Sequence, residues 1–143
     1  MKILIIIPAY NEAECIETVV DNLTENYPQY DYVIINDGST DDTRKICARR
    51  HFNFMDLPVN TGLSGAIKSG MRYANYYGYD HVLQLDGDGQ HDPAFIEDMV
   101  KEMEKSDCDI VIGSRFKTKK KPFNSRMIGS QILTAAIWCT TGG

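Results

Sequence analysis

The densest group of residues able to do chemistry is Asp86-Gly87-Asp88-Gly89-Gln90-His91-Asp92. Asp86 and Asp88 stand two apart across a glycine, so a tight turn brings both carboxylates to one side. With the Gln90 amide oxygen they form a set of hard oxygen donors suited to Mg2+ or Mn2+. A divalent ion there can clamp a diphosphate and stabilise the charge that grows on it as a leaving group. An Asx-rich turn that merely ends a strand uses the same residue types. The metal reading is stronger because Asp86 directly follows an apolar run, and carboxylates buried at a sheet crevice without a ligand are costly. His91 has two readings, a metal ligand or acid–base group and a residue that orients the turn or the next helix start; the second is simpler.

Three further groups have the right chemistry. Asp37 lies in Asn36-Asp37-Gly38-Ser39-Thr40-Asp41-Asp42 and can accept hydrogen bonds from a ribose hydroxyl or a base N–H. Ser39 to Asp42 also read as a helix N-cap run, but Asp37 is too early for that. In Asn60-Thr61-Gly62-Leu63-Ser64-Gly65-Ala66 the glycines admit a close backbone or ligand. The segment is neither a P-loop nor G-x-G-x-x-G, and close helix–sheet packing explains it better. Arg115 can pair bidentately with phosphate oxygens. Lys117, Lys119, Lys120 and Lys121 extend its charge, and a solvated basic loop is the plain alternative.

These residues need strand ends to hold them. Residues 2–7, 32–36, 52–57, 81–85 and 109–113 are short apolar runs that read as five buried strands. Between them lie helical patterns. Asn11 and Glu14 have the spacing of a capping box, followed by Ile16, Val19, Val20 and Leu23, with Pro28 as a stop. A helix is expected from about Asp41 to Arg50. Another runs from Gly62 to Tyr77, with Ala66, Ile67, Gly70, Met71 and Ala74 on one face. A fourth opens near Pro93 and shows Ile96, Met99, Val100 and Met103. Residues 115–125 read as a basic loop and 126–138 as an apolar helix, either a core helix or one resting on a membrane surface. The alternation predicts a mostly parallel sheet covered by helices on both faces, a three-layer α/β sandwich. Its ligands belong at the carboxyl ends of the strands.

Composition agrees with one globular domain over residues 1–143. The chain has 15 Lys+Arg against 20 Asp+Glu, a net charge of -5, so it is not an electrostatic nucleic-acid binder. No apolar stretch reaches the roughly 18–20 residues of a membrane span, and the first run is too short for a signal-peptide core. A cytoplasmic protein is the default. Cys15, Cys47, Cys108 and Cys139 stand far apart, which argues against a zinc site or disulfide scaffold and for buried reduced thiols.

Taken in series, Ile7-Pro8-Ala9-Tyr10-Asn11-Glu12, Asn36-Asp37-Gly38-Ser39-Thr40-Asp41, Asn60-Thr61-Gly62, Asp86-Gly87-Asp88-Gly89-Gln90-His91 and Gly113-Ser114-Arg115 closely resemble the family-2 glycosyltransferases of the Rossmann-like GT-A fold. The nearest branch is that of the polyprenyl- or dolichol-phosphate mannosyltransferases. The resemblance implies metal-dependent, inverting transfer of a sugar from a nucleoside-diphosphate sugar, UDP- or GDP-linked, to a lipid phosphate or another acceptor of polysaccharide synthesis. It implies that Pro8, Ala9, Tyr10 and Glu12 contact base and ribose, that Asp37 bonds the base, and that Gly62 and Gly87 line the donor site. Asp86, Asp88 and Gln90 then hold the metal and diphosphate, and Arg115 contacts the diphosphate. Such a protein is expected at the inner face of the membrane as a peripheral enzyme.

Family members usually run about another hundred residues, so the resemblance also implies that the acceptor-binding part is lacking here. His91-Asp92-Pro93 stands where the lipid-phosphate branch has His-Pro-Pro. Two other readings stay open. One is a donor-binding fragment without catalysis. The other is a sugar nucleotidyltransferase, which the missing Gly-rich basic loop after the first strand disfavours.

Overall fold

The computed structural model describes residues 1–87, 95–105 and 110–112. The isoleucine-rich first run has no polar face to turn to water, and it becomes β1 (Ile3–Ala9) inside a four-stranded sheet. With β2 (Asp31–Asp37), β3 (Phe54–Leu57) and β4 (His81–Gln84) the order is β3-β2-β1-β4, and every pairing is parallel.

Alternate side chains of β1 enter two cores. Ile5, Ile7 and Ala9 pack with Ile16, Val19, Val20 and Leu23 of α1 (Ile16–Asn26), Cys47 of α2 (Thr43–Arg49) and Ile96 of α4 (Phe95–Lys105). Leu4 and Ile6 pack with Val33 and Ile35 and with Ala66 and Ala74 of α3 (Gly62–Tyr76). Three layers result, with α3 alone on its face among the described helices. Each fully buried isoleucine contributes about 1.5–3 kcal/mol.

The stripe of small residues on α3 serves close packing, as its composition predicts. A Cβ on Gly70 would lie 2.6 Å from Ile6 Cγ2, so only glycine lets the helix settle this near β1. The buried stripe is narrower than expected. It follows Ala66, Gly70 and Ala74 at four-residue steps, while Met71, one step round the helix, is 51% exposed.

Other boundaries shift. The third strand begins at Phe54 and the fourth ends at Gln84. α2 begins at Thr43, because Asp41 is held by another loop, as described below. Residues 110–112 of the expected fifth strand are not in the sheet. Ile110 and Ile112 are exposed, since no described element covers them and β4 is paired only with β1 among the described residues. The basic loop, the apolar segment at 126–138, Cys108 and Cys139 lie outside the described residues.

Cys47 is fully buried, and burial pushes its thiol up to about 11, leaving it protonated at neutral pH. Cys15 differs from expectation. It is only partly buried, because it stands at the open entrance to α1. Among the described residues no helix is long and apolar enough to cross a membrane.

Candidate functional site

The direction of strand addition reverses at β1, with β2 and β3 on one side and β4 on the other. Parallel sheets bind ligands in the crevice that such a reversal opens at the carboxyl ends. The pairing of Ile6 with Gln84 continues as Leu85 N donates to Ile6 O at 3.0 Å, which carries the exit of β4 alongside Pro8. Gly87 then lies directly on the β1 exit. A Cβ there would sit 3.0 Å from the Pro8 carbonyl oxygen and 3.6 Å from Glu12 Cγ. The structure therefore brings Pro8, Glu12 and Gly87 together at one crevice, with Asp86 next to Gly87; Ala9 is buried in the core and Tyr10 is exposed. Asp86 is half-buried, and its Oδ1 accepts from Gln84 Nε2 at 2.8 Å. Asp88, Gln90, His91 and Arg115 lie outside the described residues. Among the described residues no three His, Cys, Asp or Glu side chains cluster as metal ligands.

The loop after β1 is held by the loop after β2. Three successive backbone N–H groups find side-chain acceptors there: Asn11 N on Ser39 Oγ at 3.0 Å, Glu12 N on Thr43 Oγ1 at 2.9 Å, and Ala13 N on Asp41 Oδ2 at 3.1 Å. Asn11 answers in the other direction, its Oδ1 accepting from Thr40 N at 2.8 Å. The predicted Asn11–Glu14 capping box does not form. Asn11 adopts φ 58°, a left-handed conformation that asparagine tolerates, and α1 starts only at Ile16 with no side-chain cap. The polar residues after β2 cap a neighbour's loop as much as their own helix.

Asp41 is central to this clamp. Burial pushes its carboxyl up, but hydrogen bonds from the Thr43 hydroxyl, Thr43 N and Ala13 N outweigh that and hold it below the usual carboxylate value. A depressed folded pKa gives stability that is complete above the unfolded value of about 3.9 and is lost as pH falls through the folded value. Asp41→Ala is expected to cost about 2 kcal/mol at neutral pH. It should also flatten the acid limb of stability, which denaturant titrations at about pH 7 and pH 3 would measure.

Asp37 is 3% exposed, and its Oδ1 accepts from both Thr61 N at 2.8 Å and Thr61 Oγ1 at 2.7 Å. Reading it as too early to cap a helix misses this, because the helix it serves is α3, not α2. Gly62 opens α3 at φ 76° with open space around it, and its N–H donates to Asn60 Oδ1 at 2.9 Å. Beside Asp37, the Asn36 amide donates to Asp56 Oδ1 at 2.6 Å, and Asp56 takes Arg44 Nε at 2.8 Å, which anchors the end of β2 from the other face. Sequence reasoning passed over Thr43 and Thr61. The available signal was weak: each is a hydroxyl residue at a helix start, a position that ordinarily means only local capping.

Beside the clamp lies a cleft of about 560 Å³, lined by Glu12, Glu14, Asp41, Asp42 and Lys45 among others. Lys45 is engaged by Asp42 at 2.6 Å, so carboxylates dominate and repel a diphosphate. The crevice between β1 and β4 is the better place for one.

A parallel α/β sheet with its loops gathered at the β1–β4 reversal is a Rossmann-like fold of the GT-A type. The chain belongs to glycosyl transferase family 2, whose model matches residues 4–137. It is 31% identical over 120 residues to the undecaprenyl-phosphate mannosyltransferase of Micrococcus luteus, covering 80% of this chain and 49% of the relative. It is 32% identical over 136 residues to the UDP-N-acetylglucosamine–dolichyl-phosphate N-acetylglucosaminyltransferase of Methanococcus voltae, covering 83% of this chain and 54% of the relative. The chain thus spans about half the length of these relatives. In fold it is similar to the mannosyltransferase PcManGT of Pyrobaculum calidifontis in complex with GDP-Man and Mn2+, with a TM-score of 0.54 and 26% identity over 61% of this chain and 27% of that one.

Proposed function

We propose that this chain builds the donor side of a metal-dependent, inverting glycosyltransferase. It would pass a sugar from a nucleoside-diphosphate sugar to a polyprenyl phosphate or another acceptor of polysaccharide synthesis. The observation that carries this reading is the seating of Gly87 on Pro8 and Glu12 at the β1–β4 crevice of a family-2 chain. Pro8, Ala9, Tyr10 and Glu12 take base and ribose, Asp37 bonds the base, Gly62 and Gly87 line the donor site, and Arg115 pairs with the diphosphate.

Asp86, Asp88 and Gln90 are all oxygen donors, a set that fits Mg2+ or Mn2+, and Asp86 stands at the crevice. A divalent ion bound by them would neutralise the diphosphate and make it a better leaving group. In the reaction the bond from the sugar C1 to the diphosphate oxygen breaks, and a bond from an acceptor oxygen to C1 forms on the opposite face. A phosphate acceptor is already anionic at neutral pH, so no side chain has to remove its proton. The names of the two relatives, an undecaprenyl-phosphate mannosyltransferase and a dolichyl-phosphate N-acetylglucosaminyltransferase, support a lipid-phosphate acceptor.

Calorimetry with UDP and GDP, each with and without Mn2+, tests the donor site. One of the two is expected to bind, and to bind at least about tenfold tighter with the ion. Equal binding without the ion, or no binding of either nucleotide, overturns the assignment.

A further inference from the structure

We infer that Thr61 is a positioning residue for nucleotide recognition, acting through Asp37; the inference rests on the reading of Asp37 as the base contact. Thr61 stands at the N-cap of α3, where a threonine hydroxyl normally accepts an N–H of its own helix. Here it makes no such bond. Its hydroxyl and its backbone N–H both donate to one oxygen of the Asp37 carboxylate, at 2.7 and 2.8 Å. Two donors on Oδ1 fix the plane of the carboxylate and leave Oδ2 as the oxygen to be offered to a ligand. A carboxylate so held loses little rotamer freedom when a base binds, which is the advantage of preorganisation.

A second observation shows that the fold makes room for this arrangement. Gly65 lies one helical turn after Thr61, and a Cβ built there would collide with both Cβ and Oγ1 of Thr61. Any residue but glycine would force the threonine side chain off Asp37. Glycine inside a helix costs about 1 kcal/mol against alanine, so this position gives up helix stability for the placement of Thr61. The glycine at 65 is explained by the threonine, not by contact with the sheet, which Gly70 provides.

The test compares UDP and GDP with inorganic pyrophosphate, a probe that has no base, in the presence of Mg2+. Thr61 is exposed, so its substitutions should fold. Thr61→Val keeps the shape and removes the hydroxyl. It is expected to weaken the nucleoside diphosphate about tenfold, the scale of one hydrogen bond to a charged group, and to leave pyrophosphate binding unchanged. Thr61→Ser should restore the affinity. Gly65→Ala should lower nucleotide affinity in the same selective way, with pyrophosphate binding again unchanged. Thr61→Val with wild-type nucleotide affinity overturns the inference, as does an equal loss of nucleotide and pyrophosphate. Asp37→Ala separates the two claims. If it alone weakens the nucleotide, Thr61 does not position it; if it too has no effect, the base-contact reading of Asp37 fails first.

Discussion

Gly38→Ala is expected to cost about 3–5 kcal/mol, a large share of the 5–15 kcal/mol that holds a domain folded. The melting temperature should fall by about 10 °C or more. Two effects combine. Gly38 has φ 66°, which a side chain resists, and its Cβ would stand 2.6 Å from both the Val59 carbonyl carbon and Asn60 N. Those are backbone atoms, so no rotamer change relieves the clash. The turn after β2 would have to part from the loop before α3, taking the Asp37–Thr61 bonds with it. Gly78→Ala is the matched control. Gly78 has φ 70° but open space around it, so its substitution should cost only the backbone term of about 1–2 kcal/mol. Equal losses for the two variants, measured by denaturant unfolding, would show that the contact with residues 59 and 60 contributes nothing.

Asp88→Ala is expected to remove the metal-dependent part of nucleoside-diphosphate affinity, a loss of at least about 100-fold for a direct ligand, while leaving thermal stability nearly unchanged. The reason lies in the two carboxylates of the Asp86-Gly87-Asp88 turn. Asp86 follows β4 by two residues, and Gly87 is seated against the Pro8 carbonyl at the crevice; Asp88 is the second carboxylate of that motif. Chelation by EDTA should reproduce the effect in the unaltered protein and have no further effect in the variant. Calorimetry of the same nucleotide with and without Mn2+ decides it. If the metal-dependent affinity of Asp88→Ala is retained, Asp88 is not a ligand.

Much of this protein is legible along the chain. Buried parallel strands leave continuous apolar runs, and the first four stand within a residue or two of where they were expected. The face of α1 follows from Ile16, Val19, Val20 and Leu23 at helical spacing. The order of motifs marks the family, and the first four of them follow strands whose exits the sheet gathers at one edge. The position of Asp86 just past a buried strand is readable in the same way.

What could not be read is which residue serves which. Asn11 and Glu14 have capping spacing, yet Asn11 binds a loop 29 residues away, at Thr40. Asp41 and Thr43 look like a local helix start, yet they hold the N–H groups of Glu12 and Ala13. Asp37 looks free for a ligand, yet one of its oxygens belongs to Thr61. A polar side chain takes whichever partner the packed strands set within about 3 Å, and local spacing carries no record of that choice. Length and alternation alone imply the layers and the crevice. The positions of Gly38 and Gly87, where loops distant in sequence approach closely, emerge once β1, β2 and β4 lie side by side, because such contacts are a property of neighbouring backbones and not of neighbouring residues.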